Sequence, residues 1–551
     1  MPTMPMRRIV LAGAAIMCAL MCAPSHALAS SGLETTLMDD QQLIYSSPNE
    51  VASTMEQIAA LGVDRVKVSV VWYLVAPSPE SSQRPNFDAT DPNAYPQGAW
   101  NRYDLIVKLA GALGLKVYFQ LDPPAPRWAI PAGEPLQDTR VGWAPNASDF
   151  QQFVQAVGRR YGGAFVPPAG AQADQPLLPP IKVPGLPPID LSGGSSPSHP
   201  QDPLPRVNYW SVWNEPNLAG WLNPDHNGSQ LTEPSIYRGL LTAAWNGLAA
   251  SGHTTQTDTI LIGELANSGQ LTPVPFARAL YCVDWRNRPL NGAAANHVGC
   301  PTTGSRAQFI QANPALFGAT GFAHHPYSFN IAPGRPYVLK GWITMYNLGS
   351  LEQALNGILS SYGRLPPGGE PMYLTEYGYE SNPPNPFVRN SAAQQAAWLN
   401  HAEYMAWRYP YVRSINQFEL TDSAPNRAQN RNSYAYWAGS FQTGLEFNDG
   451  QPKPSLAAFR LPIWVPNPHH GPRVYIWGQV RPATHAQSQY AVIEYARRGA
   501  RSFAQVGEVQ ASSPEGFVVA QVRLPAAGLV RIAWLEPGTG TVDYSRVIGI
   551  S

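Results

Sequence analysis

Short apolar runs alternate with segments of helical spacing from about residue 40 to residue 460. Residues 65–72 form a valine-rich run, residues 100–113 have the 3.6-residue period of a helix that Gly114 ends, and residues 116–121 form the next run. This alternation predicts βα units around a parallel sheet. Eight strands can be counted, at residues 42–45, 65–72, 116–121, 209–216, 259–264, 321–327, 372–378 and 412–420.

The pattern changes at about residue 466. Five short alternating runs follow, separated by turns of glycine, proline and serine, at residues 473–480, 489–495, 502–509, 516–522 and 529–535. This spacing is typical of a β-sandwich of the immunoglobulin or fibronectin kind. Such a domain at residues 468–551 could pack against the preceding domain or bind carbohydrate, and the sequence leaves both readings open.

Residues 164–205 interrupt the alternation. The stretch contains three Pro-Pro pairs and the run Gly193-Gly194-Ser195-Ser196. Because proline removes a backbone donor and fixes φ, neither a helix nor a central strand can run through it. We interpret it as an inserted irregular wrap or mobile flap within a domain that spans residues 38–462.

The amino terminus has the pattern of an export signal. Arg7 and Arg8 precede an apolar stretch at 9–21, and Ala27-Leu28-Ala29 matches a small-x-small cleavage site. Residues 1–29 are therefore predicted to be a signal peptide and the mature protein to be secreted. Cys22 suggests lipid anchoring as an alternative, but the residues before it form a poor lipobox. No later segment is apolar enough to span a bilayer.

Charge and composition narrow the class of function. Lys plus Arg and Asp plus Glu number 37 each, so no global field would recruit nucleic acid or an anionic membrane. Charged residues make up 13% of the chain and aromatic residues 11%. Aromatic rings can stack on sugars, although many will simply be core. Neither a Gly-x-Ser-x-Gly nor a His-Glu-x-x-His motif is present, which argues against serine and zinc hydrolases.

Two cysteines remain after the leader. Cys282 and Cys300 close a loop rich in asparagine, glycine and alanine, and export makes a disulfide the natural expectation. No histidine or cysteine with ligand spacing lies nearby, so a metal site is not predicted there. We expect neither a metal nor a cofactor anywhere in the chain.

Two segments each end an apolar run in a carboxylate. Glu215 is the glutamate of Tyr-Trp-Ser-Val-Trp-Asn-Glu-Pro at residues 209–216. Glu376 is the glutamate of Met-Tyr-Leu-Thr-Glu-Tyr-Gly at residues 372–378. Buried parallel strands present such residues at their carboxyl ends, where they open onto a polar site. Two glutamates in one cleft are what a retaining glycosidase needs, since one protonates the leaving oxygen and the other attacks the anomeric carbon.

These two motifs, with Ala-His-His-Pro-Tyr at 323–327 between them, resemble the retaining glycoside hydrolases of clan A. The nearest resemblance is to family 39, which includes β-xylosidases and α-L-iduronidases, with the cellulase-rich family 5 second. The resemblance covers roughly residues 40 to 460 and implies a TIM (β/α)8 barrel with its catalytic pair on strands four and seven. The predicted architecture is thus a barrel followed by a small all-β sandwich.

The resemblance also implies roles for individual residues. Glu215 would be the acid/base and Glu376 the nucleophile, while Asn214 would contact the sugar 2-hydroxyl. Tyr327 would donate a hydrogen bond to the nucleophile. Lys67 departs from the family, which has an arginine on strand two, so charge is kept but the bidentate fork is lost.

Several further residues are candidates for substrate contacts. Adjacent residues of a strand point to opposite faces, so His325 would share the sugar side with Tyr327 while His324 would lie behind the barrel wall. Glu264 could contact the substrate or be a structural acid.

Aromatic platforms for a sugar could come from Trp72, Trp128 and Trp213, or these rings could belong to the core. Strand eight lacks the family's tryptophan. Either Phe418 or an aromatic residue of a loop would stack on the sugar, or a polar contact from Gln417 or Glu419 would replace the stacking.

The sequence therefore predicts an exported retaining glycosidase whose partner is a poly- or oligosaccharide. The rival hypothesis is a non-catalytic carbohydrate-binding protein on a degenerate barrel. The sugar, the linkage and the oligomeric state are not predicted, because loops shape the cleft and fold does not fix substrate.

Overall fold

The computed structural model describes residues 30, 32–131, 143–168, 202–483, 488–512, 514–537 and 539–551. The predicted signal peptide with Cys22 lies outside the described residues, as does most of the predicted insertion. The described ends of that insertion, 164–168 and 202–205, have no regular secondary structure.

Eight parallel strands close into a barrel in which each strand pairs with its neighbour in sequence. The first strand pairs with the last through Glu34 and Ser414, so the cylinder has no free edge. This confirms the predicted barrel. The strands are β1 Glu34–Met38, β2 Arg65–Val71, β3 Lys116–Asp122, β4 Tyr209–Val212, β5 Thr259–Ala266, β6 Gly321–His325, β7 Met372–Leu374 and β8 Val412–Phe418.

Helices cover the outside of the barrel, and local signals explain where several begin and end. Ser47 and Glu50 form a capping box at the start of the second helix, and Gly114 ends the fourth with a φ of 74°. The helices are α1 Asp40–Leu43, α2 Pro48–Ala60, α3 Trp72–Val75, α4 Asn101–Leu113, α5 Ala147–Arg160, α6 Glu233–Ala250, α7 Pro273–Leu280, α8 Gly292–His297, α9 Arg306–Ala312, α10 Pro314–Gly318, α11 Leu348–Ser361, α12 Ala392–Arg408, α13 Tyr434–Trp437 and α14 Pro454–Arg460.

The first strand lies earlier than the sequence predicted. Residues 42–45 were expected to form it, but Asp40–Leu43 is helical and the strand is Glu34–Met38. The Asp39 side chain accepts a hydrogen bond from Gln42 N, which starts the helical turn. A four-residue apolar run cannot distinguish the two conformations by periodicity, and Glu34 and two threonines hide the true strand.

The centre of the barrel is filled, as in a packed core rather than a pore. Its inner apolar layer consists of Tyr118, Tyr209, Leu261, Ala323 and Tyr373, one from each of five neighbouring strands. The Tyr118 hydroxyl donates a hydrogen bond to Glu264, so charged residues begin directly beyond this layer.

The carboxyl-terminal region is a sandwich of two antiparallel sheets, as predicted. One sheet has the order β9-β10-β13, and the other has the order β12-β11-β14-β15 with β16 beside β14. Its strands are β9 Ile463–Trp464, β10 Gly471–Gln479, β11 Tyr490–Arg497, β12 Ala504–Gln510, β13 Phe517–Leu524, β14 Gly528–Leu535, β15 Val542–Tyr544 and β16 Ile548–Ile550.

The sandwich is joined to the barrel by packing and by a buried charge. Trp477 and Phe517 of the sandwich belong to the same apolar cluster as the barrel core. Arg481 donates from Nη2 to Glu403 Oε1 at 2.7 Å and from Nη1 to the Phe459 carbonyl at 2.6 Å. The two domains therefore share a continuous interior.

Cys282 and Cys300 form a disulfide, which confirms the predicted pairing. It ties the residue after α7's C-cap to the loop that follows α8. Among the helices of the described residues, none combines the length and apolarity required to cross a membrane.

Candidate active site

Three glutamates with strained backbones surround the carboxyl end of the barrel. Glu215 follows β4 with a φ of 40°, Glu264 lies in β5 with a φ of 47°, and Glu419 follows β8 with a φ of 71°. Positive φ is costly for residues with a side chain and clusters where a surrounding structure imposes it, often at functional sites. Glu215 N donates to the Glu264 carbonyl at 3.0 Å, which links two of these strained positions.

Glu215 and Glu376 face the same space at this end of the barrel. A carboxylate oxygen of each and a ring nitrogen of His325 all lie within 4.8 Å of one another. His325 Nδ1 is 3.0 Å from Glu215 Oε1 and 3.5 Å from Glu376 Oε2. One imidazole thus contacts both carboxylates.

Glu376 accepts a hydrogen bond from a tyrosine and lies beside two cations. The Tyr327 hydroxyl donates to Glu376 Oε2 at 3.2 Å, and Lys67 Nζ lies 3.6 Å from Oε1. Burial raises the pKa of Glu376, while the charges of His325 and Lys67 oppose that rise. The cations therefore favour the ionised carboxylate that a nucleophile requires.

Glu264 anchors the cations beneath the pair. Its side chain is fully buried and accepts hydrogen bonds from His325 Nε2 at 2.7 Å, Thr375 Oγ1 at 2.8 Å and Lys67 Nζ at 3.3 Å, as well as from the Tyr118 hydroxyl. Burial would raise the pKa of Glu264, but Lys67 and His325 outweigh it and leave the pKa well below its usual value. Glu264 is ionised and structural.

The two adjacent histidines have opposite environments, as their alternation along β6 predicted. Burial opposes charge on His325, but Glu376, Glu215 and Glu264 outweigh it and raise its pKa to about 10. His324 contacts the Leu265 and Ile343 carbonyls behind the wall, and burial together with the His325 charge lowers its pKa to about 3. At neutral pH His325 is a cation and His324 is neutral.

Lys67 lies in β2 where the family resemblance expects an arginine. Its Nζ donates to the Thr375 carbonyl at 3.2 Å in addition to its contacts with Glu264 and Glu376. Burial alone would lower the pKa of Lys67, but the two carboxylates raise it above its ordinary value. The ammonium is therefore charged, and Glu264 provides the counter-charge.

A cleft of about 730 Å³ opens above the pair. Polar residues of the first four strands line one part of it, and aromatic rings from later segments line another. The first group comprises Asp40, Ser69, Gln120, Asp122 and Asn214. The aromatic group comprises Trp221, Tyr327, Phe329, Phe387, Phe418 and Phe441.

Three candidates for the substrate site lie below the cleft, and for Glu264 this favours the structural alternative that the sequence left open. Lys67, Glu264 and His325 do not line the cleft but lie one layer below it, because they satisfy one another's charges there. Their contacts with Glu215 and Glu376 make them supports of the pair rather than binders of sugar.

Three further candidates lie away from the cleft, and Trp72 and Trp213 take the core alternative that the sequence left open. Trp72 is 1% exposed and stacks on Phe153 in the core, and Trp213 is fully buried with its indole nitrogen bonded to the Trp221 carbonyl. Gln417 donates to backbone carbonyls, including that of Thr443, and does not reach the cleft. Large side chains beside a strand end fill the packed wall before they reach the opening.

Phe418 and Glu419, which the sequence offered as alternatives, do line the cleft. Sequence reasoning missed Gln120 and Asp122, at the end of β3, and Asp40, just after β1. The signal for Gln120 and Asp122 was available, since polar residues at the carboxyl end of a parallel strand point to a site. Asp40 was missed because the first strand was predicted at residues 42–45, after this aspartate, and not before it.

The cluster of Glu215, His325 and Glu376 has the composition of a metal site. However, His325 Nδ1 and Nε2 lie 3.0 Å from Glu215 and 2.7 Å from Glu264, so both ring nitrogens carry protons toward carboxylates. A histidine can bind a metal only through an unprotonated nitrogen. The arrangement is a hydrogen-bonded imidazolium.

No protein-family model matches the sequence, and no curated protein matches it. Comparison of structures finds the GH39 enzyme from Xanthomonas axonopodis pv. citri at 12% identity and a TM-score of 0.44, covering 90% of this chain and 93% of that one. The family 1 β-glucosidase from Thermotoga maritima matches at 14% identity and 0.41, covering 73% and 81%. The GH5_18 protein from Streptomyces cattleya matches at 14% and 0.37, covering 78% and 79%. At such TM-scores we draw no argument from these likenesses.

Proposed function

We propose that the protein is a secreted retaining glycoside hydrolase that cleaves O-glycosidic bonds of a poly- or oligosaccharide. The observation that carries the proposal is the placement of Glu215 and Glu376, with oxygens within 4.8 Å, at the carboxyl ends of β4 and β7. Retaining enzymes have carboxyl groups about 5–5.5 Å apart, and inverting enzymes about 6.5–9.5 Å. Carboxylate oxygens within 4.8 Å of each other favour the retaining arrangement over the wider inverting one.

The proposed reaction has two displacements. Glu376 attacks the anomeric carbon while Glu215 gives its proton to the departing glycosidic oxygen, which leaves a covalent glycosyl ester on Glu376. Water then attacks the same carbon, Glu215 takes the proton of that water, and the ester bond to Glu376 breaks. Each step leaves the number of protons and electrons unchanged.

The surrounding residues support this division of roles. Tyr327 donates a hydrogen bond to Glu376, and the charges of His325 and Lys67 lie beside it, which favours the ionised nucleophile. Asn214 Oδ1 accepts from Gln120 Nε2 at 3.2 Å, so its amide nitrogen is the end available to a sugar hydroxyl. A donor in that position can strengthen its bond in the oxocarbenium-like transition state.

Two observations support export. The amino-terminal pattern of Arg7, Arg8 and the following apolar stretch is that of a signal peptide. The Cys282–Cys300 disulfide suits an oxidising compartment. Fractionation of the native host, with the mature amino terminus sequenced, tests this part of the proposal.

The experiment for the activity combines a screen with two variants. Purified protein is assayed against aryl glycosides and polysaccharides, and Glu376→Ala is then expected to lose turnover but to recover with azide, giving a glycosyl azide of inverted configuration. Glu215→Ala should spare substrates with very acidic leaving groups. Equal loss on all leaving groups in a folded Glu215→Ala protein would contradict its role as acid.

The rival function is carbohydrate binding without catalysis. It requires only the aromatic and polar lining of the cleft, and it gives no reason for a buried imidazolium and ammonium beneath two carboxylates. Binding of an oligosaccharide with no cleavage over days at high protein concentration would favour that rival.

A further inference from the structure

The wall formed by β1 to β3 presents hydrogen-bond acceptors to the cleft. Asp40 Oδ1 accepts from Ser69 N at 3.1 Å, and Asp122 Oδ1 accepts from Gln120 Nε2 at 3.0 Å. Both carboxyls feel the charge of Lys67, but the ion pairs of Lys67 go to other acids. Each aspartate therefore faces the cleft with acceptor capacity to spare.

Gln120 adds an acceptor of fixed orientation to this wall. Its Nε2 donates both to Asp122 Oδ1 and to Asn214 Oδ1, which fixes the orientation of the amide when Asp122 is ionised. Gln120 is fully buried and lines the cleft, and its Oε1 accepts no hydrogen bond from any described residue. A buried polar atom without a partner is costly, which points to a donor supplied by a ligand.

The residues that line the cleft are mainly acidic, like those of this wall. Among the described residues that line it there are six acids and a single base, Arg389. An acidic sugar would add a further carboxylate to these acids, whereas a cationic sugar would be attracted to them. The six acids are Asp40, Asp122, Glu215, Glu376, Glu380 and Glu419.

We propose that the wall of Asp40, Gln120 and Asp122 binds the protonated amine of an amino sugar, so that the preferred substrate is an oligomer or polymer of non-acetylated hexosamine. This inference rests on the proposed glycosidase function and names its substrate class. An ammonium group has three donors and no acceptor, which matches a wall made of acceptors. A hydroxyl lacks the charge, and an N-acetyl group lacks both the charge and two of the donors.

The electrostatics of the two aspartates agree with this assignment. Burial raises the pKa of Asp122 to about 8 and that of Asp40 to about 6, with Ser69, Gln120 and Lys67 opposing and the other acids adding to the rise. Buried carboxyls move in this direction when no cation pairs with them directly. An ammonium beside them would lower both values and restore the charged forms.

The test compares tetrasaccharides of glucosamine, N-acetylglucosamine and glucose, and galactosamine with galactose. Binding is measured by titration calorimetry at pH 7, where an ordinary amine is mostly protonated. All proteins carry Glu215→Gln so that nothing is cleaved during the measurement. We expect the free amine to bind at least about tenfold more tightly than its acetylated and hydroxyl counterparts.

Variants locate the source of that preference. Adding Asp122→Asn, or Asp40→Asn as a second variant, is expected to reduce the preference for the amine by about tenfold, because each removes a carboxyl that the bound ammonium would ionise. Glu380→Gln is the control for the general charge of the cleft, since it removes an acid from the segment after β7 and leaves the wall of Asp40, Gln120 and Asp122 intact. It should change the preference by no more than about twofold.

Two results would overturn the inference. One is equal affinity for the amine and hydroxyl forms in both sugar series, and the other is a folded Asp122→Asn protein whose preference is unchanged. The wild-type enzyme separates this inference from the proposed function. Cleavage of neutral oligosaccharides without amine preference would refute only the substrate class, and amine binding without cleavage of any substrate would refute only the hydrolase.

Discussion

Lys67 is one of the two buried cations that act on Glu376, with Nζ 3.6 Å from its carboxylate. Replacing Lys67 by methionine removes a charge that lowers the pKa of Glu376. A nucleophile is lost as pH falls through its pKa, so a higher pKa moves the acidic limb of the kcat/KM profile upward, by about 1–3 pH units. A pH–rate series with Lys67→Met measures this shift.

Lys67→Arg is the control, because it keeps the charge and changes the geometry. Its activity should fall while the acidic limb stays near its original position. An unchanged limb in a folded, active Lys67→Met enzyme would mean that Tyr327 and His325 alone keep Glu376 ionised.

Glu264 determines how strongly His325 holds its second proton. In Glu264→Gln the acceptor of Nε2 loses its charge, so the pKa of His325 should fall from about 10 by about 1–3 units. Titration of the His325 ring signals by NMR measures that change directly. Glu370→Gln removes a buried carboxyl that is not among the causes of the His325 shift, and it should leave this titration unchanged.

A His325 titration that does not move in Glu264→Gln would show that Glu215 and Glu376 alone hold the imidazolium. The contact of Glu264 with Lys67 and Thr375 would then serve only to fix the position of the strands.

At the scale of single residues, the sequence predicts which motif residues belong to the site. It does not predict which of them line the cleft and which lie below it. Glu215, Glu376 and Tyr327 line the cleft, as their motifs indicated. Glu264 was left open because a strand-end acid can point into the cleft or below it. The positive φ at Glu264 turns its side chain toward the cations, and no sequence pattern encodes that choice.

Helices α5 and α6 pack closely where α6 carries two glycines. A Cβ at Gly247 would lie 2.6 Å from the Gln151 carbonyl oxygen, whereas one at Gly239 would meet Ala147 Cβ at 4.0 Å. Gly247→Ala should therefore destabilise the protein by about 1–3 kcal/mol through overpacking. Gly239→Ala should be neutral or stabilise by up to about 1 kcal/mol, since alanine favours a helix.

Denaturant unfolding of the two variants checks this contrast, because they share a helix and a substitution. A Gly247→Ala protein as stable as wild type would mean that α5 can shift by several tenths of an ångström without cost.

At the scale of elements, seven of the eight predicted barrel strands overlap the observed ones, and the exception has a physical cause. Runs of apolar residues identify strands well where both faces of the strand are buried, as in residues 65–71 and 259–266. β1 carries Glu34, Thr35 and Thr36, which the strand pattern treats as polar. Only closure of the barrel against β8 makes this segment a strand.

For the whole molecule, the joint between barrel and sandwich depends on Arg481. Arg481→Met leaves Glu403 buried without its cation, and burial already raises the pKa of that acid. Breaking a buried pair in this way costs about 3–5 kcal/mol. Calorimetry should show a lower Tm and, because the two interiors are continuous, a single transition in the wild type.

Arg288→Met is the comparison for that variant. The Arg288 side chain is 63% exposed and pairs with Asp284. The loss of this exposed pair should lower the free energy of unfolding by no more than about 1 kcal/mol. Two separate transitions in wild-type protein, with only one of them moved by Arg481→Met, would show that the domains unfold independently.

The buried contacts of Lys67, Glu264 and His325 also have an evolutionary consequence. Glu264 is the shared counter-charge of the Lys67 ammonium and the His325 imidazolium, so a change at one of the three positions alters the charge balance of the other two. Single substitutions should be purged, while coordinated double substitutions should survive. Descendants of this chain should therefore inherit the three positions as one block, even where the cleft above them diverges toward new substrates.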